Sequence, residues 1–128
     1  MRGSYFLILE LKRDKKIKNW KLRKGFYLYV GSGMKGLENR VLRHLRKRKR
    51  KFWHIDYLTS DKDCKPIFVI LRLESEKKEC KYARKFIEFA NGIKGFGCSD
   101  CNCYSHLFYF RELNSCMEAV SKVLKDEN

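Results

Sequence analysis

The chain reads as an α+β sandwich: a small, mostly antiparallel sheet of three main strands flanked by helices, in a single domain over residues 1–128. Three observations predict it. Apolar runs of strand length fall at residues 3–11, 26–31 and 67–73, rich in the β-branched and aromatic side chains that fit a pleated sheet. Apolar residues at helical spacing follow them, at about 36–48, 76–91 and 114–125. A chain of 128 residues with 44% hydrophobic and 14% aromatic content can bury a core, and neither an internal repeat nor a linker divides it.

The first run, 3–11, is nearly all apolar, as a central strand covered on both faces must be, and Tyr5 shares a face with Leu7 and Leu9. Residues 12–24 form a basic connection. In the second strand, alternation puts Tyr27, Tyr29 and Gly31 on one face and Phe26, Leu28 and Val30 on the other. A Gly31-Ser32-Gly33 turn then opens the first helix, 36–48, whose apolar stripe is Leu37, Val41 and Leu45. Arg40 and His44, one turn apart, lie along the shoulder of that stripe. Pro66, the only proline, precedes the third strand, and a prolyl residue belongs at a strand start or an edge. The second helix, 76–91, gathers Cys80, Tyr82, Ala83, Phe86, Ile87 and Ala90 on one arc and stops at Asn91-Gly92. A glycine- and cysteine-rich loop (92–103), a short strand (107–111) and a last helix (114–125) complete the chain.

Lys and Arg number 30 against 15 Asp and Glu, a formal charge of +15. So large a surplus on so small a body calls for a polyanionic partner, and nucleic acid is the natural one. A thermophile's charged surface is the alternative, which the absence of Gln and the single Thr59 fit, but such a surface balances its signs. No membrane segment is expected: the run Tyr5 to Leu11 is too short to span, contains Glu10 and lacks a small-residue cleavage site. Six cysteines without a signal peptide indicate a cytoplasmic chain with reduced thiols or metal ligands before disulfides.

Several residues carry chemistry on their own. Glu79 falls near the middle of the apolar arc of its helix, where a carboxylate must be paired, protonated or bound to metal, unless the helix dipole alone holds it in the first turn. Arg40 offers a planar donor fork suited to phosphate. His54 and Asp56, two apart, would share a face in an extended segment, with the carboxylate fixing the imidazole; a loop or capping role is the alternative. Cys98, Cys101, Cys103 and His106 include a Cys-x2-Cys metal spacing, which makes zinc one reading and buried thiols closing a tight loop the other; the fold could also bring in Cys64 or Cys80. The run Arg46-Lys47-Arg48-Lys49-Arg50-Lys51, with Arg43 before it and Phe52 and Trp53 after it, suits phosphate tracking beside a stacking aromatic, without base readout.

The separated motifs Gly3-Ser4-Tyr5, Tyr29-Val30-Gly31, Arg40 and His44, and Glu79 resemble, in order, those of the GIY-YIG nuclease superfamily. The segments Trp53-His-Ile-Asp-Tyr-Leu58, Glu79-Cys80 and the stretch from Gly95 to His106 resemble its small prokaryotic branch known as domain of unknown function number 123. The resemblance spans about residues 3–110 and implies a GIY-YIG-like fold and a metal-dependent endonuclease acting on DNA rather than RNA. It implies that Tyr5 positions or deprotonates the attacking water, Tyr29 supports the scissile phosphate, and Arg40 and His44 are catalytic. Glu79 would bind a divalent cation, Mg or Mn. His54 is added as a further catalytic candidate from its own surroundings. At the place where superfamily members bring in an Asn, this chain offers Asn102, Ser105 and His106. The connection at about 12–25 is longer than the superfamily's usual spacing. Some relatives are joined to an endonuclease-III-type repair enzyme, which implies a repair partner. The rival functions are a non-catalytic nucleic-acid-binding module on the same fold and a zinc-stabilised adaptor.

Overall fold

A computed structural model describes residues 1–126. In chain order the elements are β1 (Gly3–Leu11), β2 (Lys15–Ile17), β3 (Trp20–Leu22), β4 (Gly25–Gly33), α1 (Leu37–Leu45), α2 (His54–Thr59), β5 (Cys64–Leu73), α3 (Glu79–Phe86), β6 (Asn91–Gly92), β7 (Leu107–Phe110) and α4 (Leu113–Asp126). The α+β class stands, but the sheet has five antiparallel strands in the order β5-β1-β4-β7-β6, not three. Beside the three main strands stand β7, the short strand expected at 107–111, which pairs Leu107–Phe110 along Phe26–Tyr29, and the two-residue β6, too short for any periodicity to reveal.

Alternation along β1 and β4 divides the core as expected. Tyr5, Leu7, Leu9, Tyr27 and Tyr29 pack with Leu37, Val41, Ile55 and Leu58 of α1 and α2 on one face. Phe6, Ile8, Leu28 and Val30 pack with Tyr82, Ala83 and Phe86 of α3 and Val120 and Val123 of α4 on the other. Two helical layers thus sandwich a sheet whose central strands are buried on both sides, each large side chain contributing about 1.5–3 kcal/mol by leaving water. Pro66 lies in edge strand β5, beside a register shift that lets the chain omit one ladder donor. No helix among the described residues is long and apolar enough to cross a membrane.

Local details differ where charge hid the pattern. The basic connection contains the hairpin β2–β3, whose Ile17 and Leu22 are buried against the first core while the lysines between them face solvent. Lys18 turns it with φ 53°, a left-handed conformation that a tight hairpin demands. α1 stops at Leu45 instead of continuing to 48, and the basic run that follows is irregular rather than helical. Leu45 is consequently exposed, and the ring of His44 takes the buried position the stripe assigned to it. The helix expected over 76–91 is confined to Glu79–Phe86. α2, six residues long, is too short for its periodicity to show in the sequence; Asp56 starts it by accepting the backbone N–H groups of Phe52 and Trp53 at 2.8 and 2.9 Å.

Gly31 is paired with Tyr5 across β1 and β4, and the phenol lies directly over it. A Cβ at Gly31 would stand 2.3 Å from the ring's Cζ and hydroxyl oxygen. Gly31→Ala therefore forces the buried ring aside. We expect an overpacking loss of about 1–3 kcal/mol, read as a lower thermal midpoint.

Candidate active site

At the end of the sheet where β1 begins and β4 finishes, side chains from several segments line a cleft of about 350 Å³. Tyr5 and Tyr29 come from the adjacent strands, Arg40 and His44 from α1, Glu79 from the start of α3, and His106 from the turn into β7. Trp53, Lys77 and Asp100 complete its rim. The rings of Tyr5, Tyr29 and His44 form a triangle with centroids 5.3–6.3 Å apart.

Within the triangle the Tyr5 hydroxyl is 2.6 Å from His44 Nε2. Burial lowers the His44 pKa to about 4, with the neighbouring Lys49 ammonium adding to the effect, so the imidazole is neutral near pH 7. A neutral ring can accept at Nε2, and Tyr5 is the donor that fits. Burial also raises both phenols well above the usual tyrosine range, with Tyr29 adding to the effect on Tyr5 and Glu79 to that on Tyr29. Both phenols are therefore protonated near neutrality. His44 Nδ1 has no hydrogen-bond partner among the described residues.

Arg40 is held in place from two sides. Its Nη1 donates to the Ser32 carbonyl at 2.6 Å, and its guanidinium lies 4.5 Å from the centroid of the Trp53 ring. Arg43 lies over the same ring at 4.9 Å and donates to the fully buried Asp56 at 2.8 Å. Trp53 is thus a platform for two cations as well as a wall of the cleft. Glu79 is mostly buried and pairs with the Lys77 ammonium at 3.1 Å, so the carboxylate read from the helical arc does face the cleft rather than the core.

Other expected site residues lie elsewhere or are already engaged. His54 does not line the cleft; its Nδ1 accepts the Gly97 N–H at 2.9 Å, Nε2 is 3.3 Å from Ser99 Oγ, and its ring packs on Trp20 and Phe96. It fixes the loop, while Asp56 serves Arg43 and the α2 entry and not His54. Lys47 donates inward to the carbonyls of Thr59, Asp61 and Cys64, and Lys49 to His44 O at 3.1 Å and Thr59 Oγ1 at 2.8 Å. Both ammonium groups thereby close the end of α1 onto α2. Arg46, Arg48, Arg50, Lys51 and Phe52 remain exposed, so the phosphate-facing portion of the run is smaller than its sequence implies. Ser105 is buried and bonded to Leu107, and Asn102 is exposed, leaving His106 as the cleft residue of that segment.

The cysteine cluster is real but differently composed. Ligand atoms of Cys80, Cys101, Cys103 and His106 all lie within 4.8 Å of one another, a group able to hold a metal such as zinc. Cys98 is outside that set, its thiol directed at the Phe96 carbonyl at 3.5 Å. Of the two cysteines that the fold could add, Cys80 joins the cluster from the start of α3, 21 residues before Cys101, and takes the place expected for Cys98.

Neither the curated proteins nor the solved structures contain a match to this chain. The model of the family described as "Domain of unknown function DUF123" matches residues 4–128, nearly the whole chain. The chain belongs to that family.

Proposed function

We propose that the chain is a metal-dependent endonuclease of GIY-YIG type that hydrolyses phosphodiester bonds in DNA. The observation that carries this reading is the convergence of Tyr5, Tyr29, Arg40, His44 and Glu79 on one cleft, with the Tyr5 hydroxyl on His44 Nε2. Five polar groups from four elements, drawn out of a hydrophobic wall, exceed what packing requires.

Each group has a role that its surroundings allow. Tyr5 is no phenolate near pH 7, yet its oxygen still offers a lone pair to a water. As that water attacks phosphorus, its proton passes to the Tyr5 oxygen while the Tyr5 proton moves to His44 Nε2. The bond to the leaving sugar oxygen breaks, and that oxygen takes a proton from solvent. The imidazolium, with so low a pKa, returns its proton to solvent at once and resets the pair. Arg40 presents its free guanidinium edge to the phosphate oxygens, and Tyr29 donates to one of them. Glu79 would hold a Mg or Mn ion. The donor chemistry fits a hard cation: one mostly buried carboxylate open to the cleft, balanced by a Lys77 side chain that is 61% exposed and free to swing away. When bound, that ion supplies charge neutralisation at the phosphate. Arg50 and Phe52 adjoin Trp53, which lines the cleft, and Arg46, Arg48 and Lys51 are exposed in the same run, where backbone contact needs no base readout.

Three outcomes test this. With branched, nicked and single-stranded DNA, with and without Mg or Mn, the parent should yield metal-dependent product, and Glu79→Gln should lose at least about 10²-fold in single-turnover rate. Its melting temperature should stay close to the parent's, since Gln is nearly as good a helix former. Undiminished cleavage by the folded Gln variant would remove Glu79 from the site, and binding without any cleavage by the parent would favour the non-catalytic module.

Replacing Arg46, Arg48, Arg50 and Lys51 together by Ala should weaken DNA binding for all sequences alike and flatten the dependence of affinity on salt. Lys47 and Lys49 are kept because their loss would unpin α1 from α2. Equal affinity at every salt concentration would show that DNA docks elsewhere.

The His44 pKa is lowered on folding, so its contribution to stability is complete above about 6.5 and is lost as pH falls toward about 4. Thermal midpoints across that window should decline more steeply for the parent than for His44→Gln, which has no proton to take up. Parallel declines would mean that His44 is not buried as a neutral ring.

A further inference from the structure

We propose that Cys80, Cys101, Cys103 and His106 form a closed, structural zinc centre that builds the wall of the cleft carrying Glu79. The inference stands on the ligand geometry and does not depend on the nuclease reading.

Distances agree with one tetrahedral ion. Zn–S bonds of about 2.3 Å and Zn–N bonds of about 2.0–2.1 Å separate a sulfur and a nitrogen ligand by about 3.5–3.6 Å. His106 Nε2 lies 3.4 Å from Cys101 Sγ and 3.8 Å from Cys80 Sγ, on either side of that value. The same bond lengths put two sulfurs about 3.8 Å apart, within the 4.8 Å that encloses all four donor atoms.

His106 is already prepared as a ligand. It is 2% exposed, and its backbone is tied to Phe96 on one side and Val30 on the other. Its Nδ1 is 3.1 Å from the Val30 carbonyl, which can only accept. The hydrogen therefore resides on Nδ1, and the lone pair on Nε2 points at the sulfurs, the tautomer that a metal requires. Three soft thiolates and one imidazole favour zinc over Mg or Mn. Four protein ligands leave no open coordination position, so the ion is structural and not catalytic.

Its consequence for the cleft follows from chain position. Cys80 is the residue after Glu79 at the first turn of α3, while Cys101 and Cys103 anchor the loop that brings Gly97 and Asp100 to the rim. One ion joins these segments to His106 beside β4. It does for this small lobe what hydrophobic burial does elsewhere: Cys98, Ser99, Asp100 and Asn102 have little apolar surface to hold them.

Metal analysis of reduced protein, prepared with zinc and without chelator, should find one zinc per chain. Cobalt replacement should give thiolate-to-cobalt charge transfer and the intense visible bands of a tetrahedral site. Cys80→Ser and Cys101→Ser should lower zinc content and thermal midpoint, whereas Cys98→Ser should keep both. Glu79→Gln should also keep its zinc, so that lost cleavage with full zinc separates the two centres. Should the ligand variants fail to fold, chelation of the parent decides: removing zinc should drop the melting temperature and expose residues 95–103 to hydrogen exchange. Folded, reduced parent that takes up no zinc on reconstitution overturns the proposal, as does zinc lost by Cys98→Ser but retained by Cys80→Ser.

Discussion

The cleft depends on one close approach. Antiparallel pairing of β1 with β4 sets Tyr5 opposite Gly31, and the missing side chain lets the phenol lie flat across the neighbouring strand. Only in that position does its hydroxyl reach His44, which α1 presents from above the same face. Gly33 continues the arrangement: a Cβ there would stand 2.7 Å from the Leu37 backbone, so the glycine allows α1 to start hard against the strand end. Strand register, helix entry and the Tyr5–His44 bond are thus one constraint. A single-residue slip between β1 and β4 would turn Tyr5 to the opposite core and dissolve the group.

Burial then sets the chemistry of that pair. In water a tyrosine and a histidine differ in pKa by several units, with the histidine often charged. Here desolvation moves them apart, raising the phenol and lowering the imidazole. The pair is locked as neutral donor and neutral acceptor, and the charges that border the cleft are those of Arg40 and Glu79, with Lys77 and Asp100 at its rim. Arg40 and Glu79 are opposite in sign and both border the cleft, where an anionic substrate and a divalent cation would each find a counterpart.

Legibility in the sequence followed periodicity and failed where charge or brevity masked it. The two-sided burial of β1, the face shared by Tyr5, Leu7 and Leu9, and the inward carboxylate of Glu79 were all readable, because each rests on a repeat of 2 or 3.6 residues. β2, β3, β6 and α2 span two to six residues, too few for either period to register. The basic run misled for another reason. Arg46 to Lys51 reads as one cationic stripe, but Lys47 and Lys49 reach back to carbonyls at the ends of α1 and α2, a use of lysine that no local pattern announces. The spacing of His54 from Asp56 suggests a pair, but its partners are the Gly97 amide and Ser99, both more than forty positions away.

Cys80 shows most plainly how sequence distance conceals a site. The first turn of α3 sets Glu79 and Cys80 side by side: both border the cleft, and Cys80 also belongs to the sulfur cluster, so this one turn would serve two neighbouring centres of different chemical character. Softness keeps them distinct. Thiolates and imidazole retain zinc against the magnesium that a cell holds in excess, while a lone carboxylate with waters and phosphate oxygens suits the harder ion. On the proposed reading, a zinc centre of this composition would hold its ion with protein ligands alone, whereas a single carboxylate would need the phosphate of a bound nucleic acid to complete the coordination of a hard ion. The first would then be part of the folded chain, and the second would form only with substrate.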